Sequence, residues 1–225
     1  MLDPESTTGH NEIRELARSE VEEAAWVVAR AMGTNPGPLA IFGPPERKVL
    51  HRQMTLFRFV LGQLSGRVLV AREGGRIVGV LRMTRSPYCR RSSPRDYLRL
   101  VPVFMPLLPS LIGTAPRLVR WLGLWARHHP REPHWHLGPV AVLPERQGQG
   151  IGTRLLRRFC EEVDRAGEGA YLETDKPENV RLYERFSFTV TARETLFGVV
   201  NWFMWRAPCP ASGESQGSRP AIGLV

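Results

Sequence analysis

The chain has 225 residues, enough for one well-buried domain and short for two, and its 42% hydrophobic and 24% charged content is that of a globular protein. A formal net charge of +9 favours an anionic partner, either a polyphosphate cofactor or nucleic acid. That charge is almost all arginine, with lysine only at Lys48 and Lys176, a bias that GC-rich coding in some bacteria produces without function. The arginines are spread along the whole chain, which argues against a nucleic-acid face.

In chain order, residues 1–12 read as a flexible leader and 13–206 as one domain. Ser19–Met32 has helical spacing through Val21, Ala24, Ala25, Val28 and Met32, with Ser19 as N-cap and Glu22 behind it. Gly33–Pro38 breaks that helix. Glu46–Leu64 is a second amphipathic helix. Arg67–Arg72 and Arg76–Met83 are β-rich runs around the tight-turn sequence Glu73-Gly74-Gly75, hence a hairpin.

Residues 84–133 are proline-punctuated and partly helical, near Tyr97–Leu107 and Leu118–Arg127, and read as a segment inserted between the hairpin and the next strand, placed to shape a ligand pocket. The longest uncharged stretch, Leu100–Pro116, is too short and too rich in proline for a comfortable membrane span. Phe104, Met105, Leu107, Leu108, Trp121 and Trp125 would supply an apolar wall, and Arg90, Arg91 and Arg95 a basic rim.

The remaining pattern is sharper. His136–Leu143 is a strand, Gln147–Gly152 a glycine-rich loop, and Thr153–Ala166 a helix closed by Gly167. Ala170–Thr174 is a strand, Asn179–Phe186 a short helix, and Phe188–Ala192 and Asn201–Arg206 are strands. Residues 207–225 read as a disordered tail. Helices alternating with strands in this way predict an α/β domain with a mixed sheet of about six to seven strands flanked by helices.

The segment Val140-Ala-Val-Leu-Pro-Glu-Arg-Gln-Gly-Gln-Gly-Ile-Gly152 carries the chemistry. A strand runs into a glycine-rich turn and then into a helix. Backbone N–H groups there can converge, and the helix adds its unpaired first-turn donors and the positive end of its dipole. That combination suits a pyrophosphate. A Walker A loop is excluded, because Gly152 is followed by Thr153 with no lysine, and the glycine spacing does not fit a dinucleotide fingerprint.

This loop resembles the shared motif of the GNAT acetyltransferases, Arg/Gln-x-x-Gly-x-Gly/Ala, through Gln147, Gly150 and Gly152. A second block is also similar: Leu172-Glu-Thr-Asp, Asn179 and Leu182-Tyr-Glu-Arg-Phe-Ser-Phe188. The phrases around Pro133–Val142, Tyr171–Thr174 and Trp202–Arg206 look like the puromycin N-acetyltransferase-like branch, whose drug substrate does not follow from the likeness.

The resemblance implies a GNAT fold, acetyl-CoA as cofactor, and transfer of an acetyl group to a primary amine of a small molecule in a ternary complex. Protein or peptide acetylation and a silent acyl-CoA sensor are the alternatives. It also implies two splayed parallel strands with pantetheine between them, paired to Val140 and Val142 like an added strand. Cofactor contacts then fall on Val140, Ala141, Val142, Gln147, Gly148, Gln149, Gly150, Ile151, Gly152, Thr153, Asn179 and Tyr183. Tyr183 matches the family tyrosine facing the thioester sulfur and is the expected general acid, and the amide of Val142 is the expected oxyanion donor.

Glu173 is the first candidate base, with His134, His136 or water as alternatives. Ser187 replaces the usual glycine of Gly-Phe; if that position has positive φ, it is mildly strained. The histidines His128, His129, His134 and His136 lack a zinc-ligand spacing, so no metal is expected. Cys89, Cys160 and Cys209 form no disulfide framework. Together with an N-terminus that shows no signal pattern, they predict a cytoplasmic protein, monomer or homodimer, without a membrane span.

Overall fold

The computed structural model describes residues 12–62, 65–86 and 112–209. The helix expected near Tyr97–Leu107, the wall residues Phe104, Met105, Leu107 and Leu108, and the rim Arg90, Arg91 and Arg95 lie outside them. So do most of the expected leader and tail. Among the described residues no helix is long and apolar enough to cross a membrane.

Seven strands form one mixed sheet: β1 (Glu12–Glu15), β2 (Arg67–Glu73), β3 (Arg76–Arg85), β4 (His134–Val142), β5 (Gly169–Thr174), β6 (Thr189–Leu196) and β7 (Val199–Arg206). Their order across the sheet is β1-β2-β3-β4-β5-β7-β6. Every neighbouring pair is antiparallel except β4 and β5. The helices are α1 (Val21–Met32), α2 (Pro36–Phe42), α3 (Arg47–Gly62), α4 (Ala115–His128), α5 (Ile151–Ala166) and α6 (Pro177–Glu184).

Strand β3 is buried from Ile77 through Thr84, so its two side-chain faces are both covered by helices. α1 brings Ala24, Ala25, Val27 and Val28, all fully buried, against β3 and β4; small side chains let its axis approach the sheet. α5 buries Leu155, Leu156, Phe159 and Val163 over β2, β3 and β4. At Gly79 a Cβ would stand 2.8 Å from Ile151 and 3.0 Å from Leu155, so this strand position must be glycine for α5 to dock where it does. Cys160 sits on the same buried face, and burial pushes its thiol up to about 11, which keeps it a packing residue.

Three sequence expectations change. The start of α1 is not capped by Ser19 with Glu22. Glu20 accepts the Ala17 N–H at 3.0 Å and is paired to Arg14 and Arg72. The Arg14 hydrogen bonds and the Ala17 N–H lower its carboxyl to about 2. α2 occupies the segment expected to be only a break: Asn35 is extended and Pro36 opens the helix at its first position, where the missing N–H costs nothing. Strand β1 occupies residues 12–15, and β6 and β7 run longer than expected, around a turn in which Phe197 and Gly198 both have positive φ.

The end of α6 fixes the chain that follows it. The Ser187 N–H donates to Glu184 O at 3.0 Å and the Phe188 N–H to Tyr183 O at 3.2 Å, with Ser187 at φ 65°. This is a Schellman closure, and its apolar contact is the Tyr183–Phe188 ring pair at 6.0 Å. Ser187 therefore holds a left-handed conformation without being glycine. Ser187→Gly should relieve strain that outweighs the added freedom of the unfolded chain, stabilising the protein by about 0.5–1 kcal/mol. Urea unfolding would check this, and a lower midpoint would refute it.

Candidate active site

The site begins where a ladder stops. β4 and β5 pair only through His134↔Gly169, Trp135↔Ala170 and His136↔Tyr171, although β4 continues to Val142 and β5 to Thr174. Pro139 has no N–H to give, and the β3–β4 register shifts between Leu81 and Met83. The far edge of β5 stays paired to β7 through Thr174, so the opening lies on the β4 side alone.

Backbone alternation identifies which groups line that opening. The Leu143 N–H donates to Val78 O at 3.0 Å, toward β3. The N–H groups of Val142 and Val140 therefore face the opposite way, into the gap, while Ala141 faces β3. The Val142 carbonyl is already engaged, because Gln147 Nε2 donates to it at 3.0 Å.

At the end of β4 every residue of the loop from Pro144 to Gly150 is exposed. Gly148 and Gly150 have φ of 75° and 77°, with open space where a Cβ would be, so backbone conformation and not crowding demands glycine there. Gly150 caps α5 in the left-handed region and accepts the Arg154 N–H. α5 starts at Ile151, so Ile151, Gly152 and Thr153 are its first turn, whose N–H groups have no intrahelical acceptor. Gln149 Nε2 donates back to Glu145 O at 3.4 Å. Arg146 is held by Glu73 at 3.0 Å.

α6 carries Tyr183, 7% exposed and part of the main core; burial and the nearby Asp175 push its phenol pKa up. Asn179 sits one turn earlier and is not the N-cap; Lys176 is. Asn179 Nδ2 donates to Thr174 Oγ1 at 3.2 Å, tying α6 to the end of β5.

The three base candidates separate. His136 Nε2 donates to Glu173 Oε2 at 2.8 Å, and the Glu173 side chain is only 4% exposed. His134 is fully buried and its Nδ1 donates to Glu132 O at 2.7 Å, so its neutral Nε2 is the acceptor for His129 Nε2 at 3.2 Å. Trp135, between them, turns to the opposite face and packs on the main core.

Sequence reasoning missed three neighbours of this pair. Tyr171 lies on the same face as Glu173 and is 1% exposed. His129 reaches the cluster from the turn after α4, with its ring 5.3 Å from that of His136. Asp175 Oδ2 accepts the Gly37 N–H of α2 at 2.6 Å, and burial raises its pKa. The alternation Tyr171, Glu173, Asp175 was the available signal.

α4 covers this face. Trp121 and Leu124 are buried, Trp121 and Trp125 meet edge to face at 6.2 Å, and Trp125 Nε1 donates to Asn201 Oδ1 at 3.3 Å. Among the described residues no group of three metal-ligating side chains gathers.

Residues 40–188 match the family model described as the acetyltransferase (GNAT) family. The chain is 38% identical over 63 residues to an L-methionine sulfoximine/L-methionine sulfone acetyltransferase of Salmonella typhimurium, a stretch that is 27% of this chain and 37% of that one. It therefore spans well under half the length of that relative. Among solved structures it is similar to the histone acetyltransferase HPA2 and related acetyltransferase of Corynebacterium glutamicum. The TM-score is 0.64 at 19% identity, over 90% of this chain and 98% of that one. It is also similar to YncA of Salmonella typhimurium, a putative acetyltransferase solved with its cofactor acetyl-CoA. There the TM-score is 0.53 at 18% identity, over 94% and 99%. At these identities the structural likenesses establish the fold.

Burial lowers the pKa of His134 below its ordinary 6.5. The unfolded chain then binds the extra proton more readily than the folded one. The stabilising contribution is whole above about pH 6.5 and shrinks as pH falls through the unfolded value toward the lowered folded value. His134→Gln should therefore flatten the decline in melting temperature between about pH 7 and 5 relative to the parent. Parallel slopes in the two proteins would contradict this.

Proposed function

The chain belongs to the acetyltransferase (GNAT) family, and from that premise we propose that it moves an acetyl group from acetyl-CoA to the primary amine of a small molecule. The observation that carries this reading is the β4–β5 opening, flanked by donors at one end and a carboxylate at the other. The loop fits a pyrophosphate because its exposed backbone turns twice through positive φ and runs into the free N–H groups of α5. The edge of β4 fits an extended amide-bearing arm, because Val140 and Val142 face the gap as an unpaired strand would. Gln147, Gly148, Gln149, Gly150, Ile151, Gly152, Thr153 and Asn179 belong to that cofactor side in this reading, with Ala141 contributing packing.

Acetyl-CoA supplies the thioester carbonyl and the thiolate leaving group. Glu173, oriented by His136, accepts the proton that the amine gives up as the N–C bond forms. The backbone N–H at the open edge holds the oxygen that gains charge. If the β4–β5 register were continued, Gly138 would face Glu173 and Val140 would face Asp175, with Val142 nearer the loop. We therefore move the oxyanion role from Val142 to Val140, leaving the Val142 N–H to pair with the arm. Tyr183 gives its proton to sulfur as the C–S bond breaks; its raised pKa keeps it protonated until then. The recessed Glu173, under α4, supports an amine on a slim carrier as acceptor.

Two experiments test this. Thiol release from acetyl-CoA should be stimulated by members of a primary-amine panel. Tyr183→Phe should lower kcat by about 10²-fold or more with little change in coenzyme A affinity. Equal kcat in the two proteins would remove Tyr183 from the mechanism. In calorimetry, Gly150→Asp should abolish coenzyme A binding while Gly150→Asn, of the same shape and tolerant of positive φ, retains most of it. Equal losses would show that charge against phosphate is not the cause.

A further inference from the structure

We propose that Asp175 holds a second, cationic group of the acceptor, and that Asn35 takes over the Gly37 N–H when it does so. This rests on the acetyl-transfer reading above and narrows the acceptor to an amine with an ammonium at the far end of a short chain.

The start of α2 has one backbone donor to place. It opens Pro36-Gly37-Pro38, neither proline has an N–H, and the Leu39 N–H already donates to Asn35 O at 3.0 Å. That leaves the Gly37 N–H. Asn35 stands in the N-cap position, where an asparagine side chain ordinarily accepts from the second or third residue of the helix. It makes no such bond. Asn35 is 7% exposed, and its Oδ1 has no hydrogen-bond partner among the described residues. Asp175 Oδ2 has taken the donor instead, at 2.6 Å, from 138 residues along the chain. Two acceptors compete for one N–H, and the local one is left buried and unsatisfied. Such a state is costly, and an exchange of caps would relieve it.

Asp175 has an unmet need of its own. Its carboxylate is met by two backbone N–H groups, those of Gly37 and of Asp175 itself, and by no cationic side chain among the described residues. Burial raises its pKa, and the Lys176 charge opposes that without pairing to it. A partly buried carboxylate without a counter-charge is a place for a ligand cation.

Its position suits the acceptor. Leu124 of α4 packs with Tyr171 of β5. Three residues earlier on α4, the Trp121 ring stands 2.7 Å from the point a Gly37 Cβ would occupy, and Asp175 Oδ2 stands 2.8 Å from that same point. Asp175 therefore lies under the same helix as Tyr171 and Glu173, on one face of the strand and its extension. Two residues of extended chain separate Glu173 from Asp175 by about 7 Å, a step that a chain of four carbons spans. With the reacting nitrogen at Glu173, an ammonium at the other end reaches Asp175. As it pairs there, the Gly37 N–H passes to Asn35 Oδ1, so α2 stays capped and the buried asparagine gains its partner.

The test uses the full chain, acetyl-CoA, and putrescine, butylamine and γ-aminobutyrate, which end in an ammonium, a methyl and a carboxylate. In the parent, kcat/KM should fall about tenfold at each step of that order. Asp175→Asn, which keeps an oxygen for Gly37 but no charge, should bring the three within about threefold of one another. Equal use of the three by the parent would overturn the proposal alone, and so would a series that the substitution leaves unchanged. The cap exchange is read separately, by melting temperature without substrate. Asn35→Ala should lower it little in the parent and clearly more in an Asp175→Ala background, where Asn35 is the remaining cap. Additive losses would show that Asn35 does not take up the donor and would overturn the exchange. Failure of the parent to acetylate any member of a wider amine panel would overturn the acetyl-transfer reading and this inference with it.

Discussion

The structure depends on one interruption. A parallel strand pair that kept its hydrogen bonds past His136 and Tyr171 would close the sheet and leave no site. Because pairing stops there while both strands continue, a run of backbone donors and acceptors is left for something other than protein. Unpaired strand edges are normally a hazard that proteins cover or charge. Here the edge is internal, fenced by β3 on one side and by β7 beyond β5.

The rest of the architecture holds the margins of that gap in place. α5 docks through Gly79 so that its first turn meets the end of β4. α6 is tied at its start by Asn179 to Thr174 and at its end by the Ser187 closure, which together fix where Tyr183 stands. Asp175 joins α2 to the end of β5 through the Gly37 N–H. α6, which carries Tyr183, and α2 are thus anchored to the same strand terminus.

Much of this was legible in the sequence because it is local. The glycine loop, the apolar stripe of α5, the Glu-Gly-Gly hairpin and the Tyr183 block are each written within a short window. Ser187 announced its own strain by standing where glycine is usual. What escaped was either short or assembled at a distance. β1 is four residues of mixed polarity, and α2 hides in a run rich in glycine and proline whose start signal is Asn-Pro. The cluster around Glu173 draws His129 from a turn, His136 from β4 and Tyr171 from β5. No spacing rule predicts that a turn histidine meets a strand tyrosine; that follows only from how α4 lies on the sheet.

The contact between Gln147 and the Val142 carbonyl explains a degeneracy in the motif that the loop resembles, where arginine and glutamine alternate at this position. The side chain reaches back to silence one strand oxygen and so pins the bend to the sheet. That task needs length and an N–H, not a positive charge, and both residue types supply them. The position is thus a mechanical one, a latch between bend and strand whose chemistry is chosen by reach.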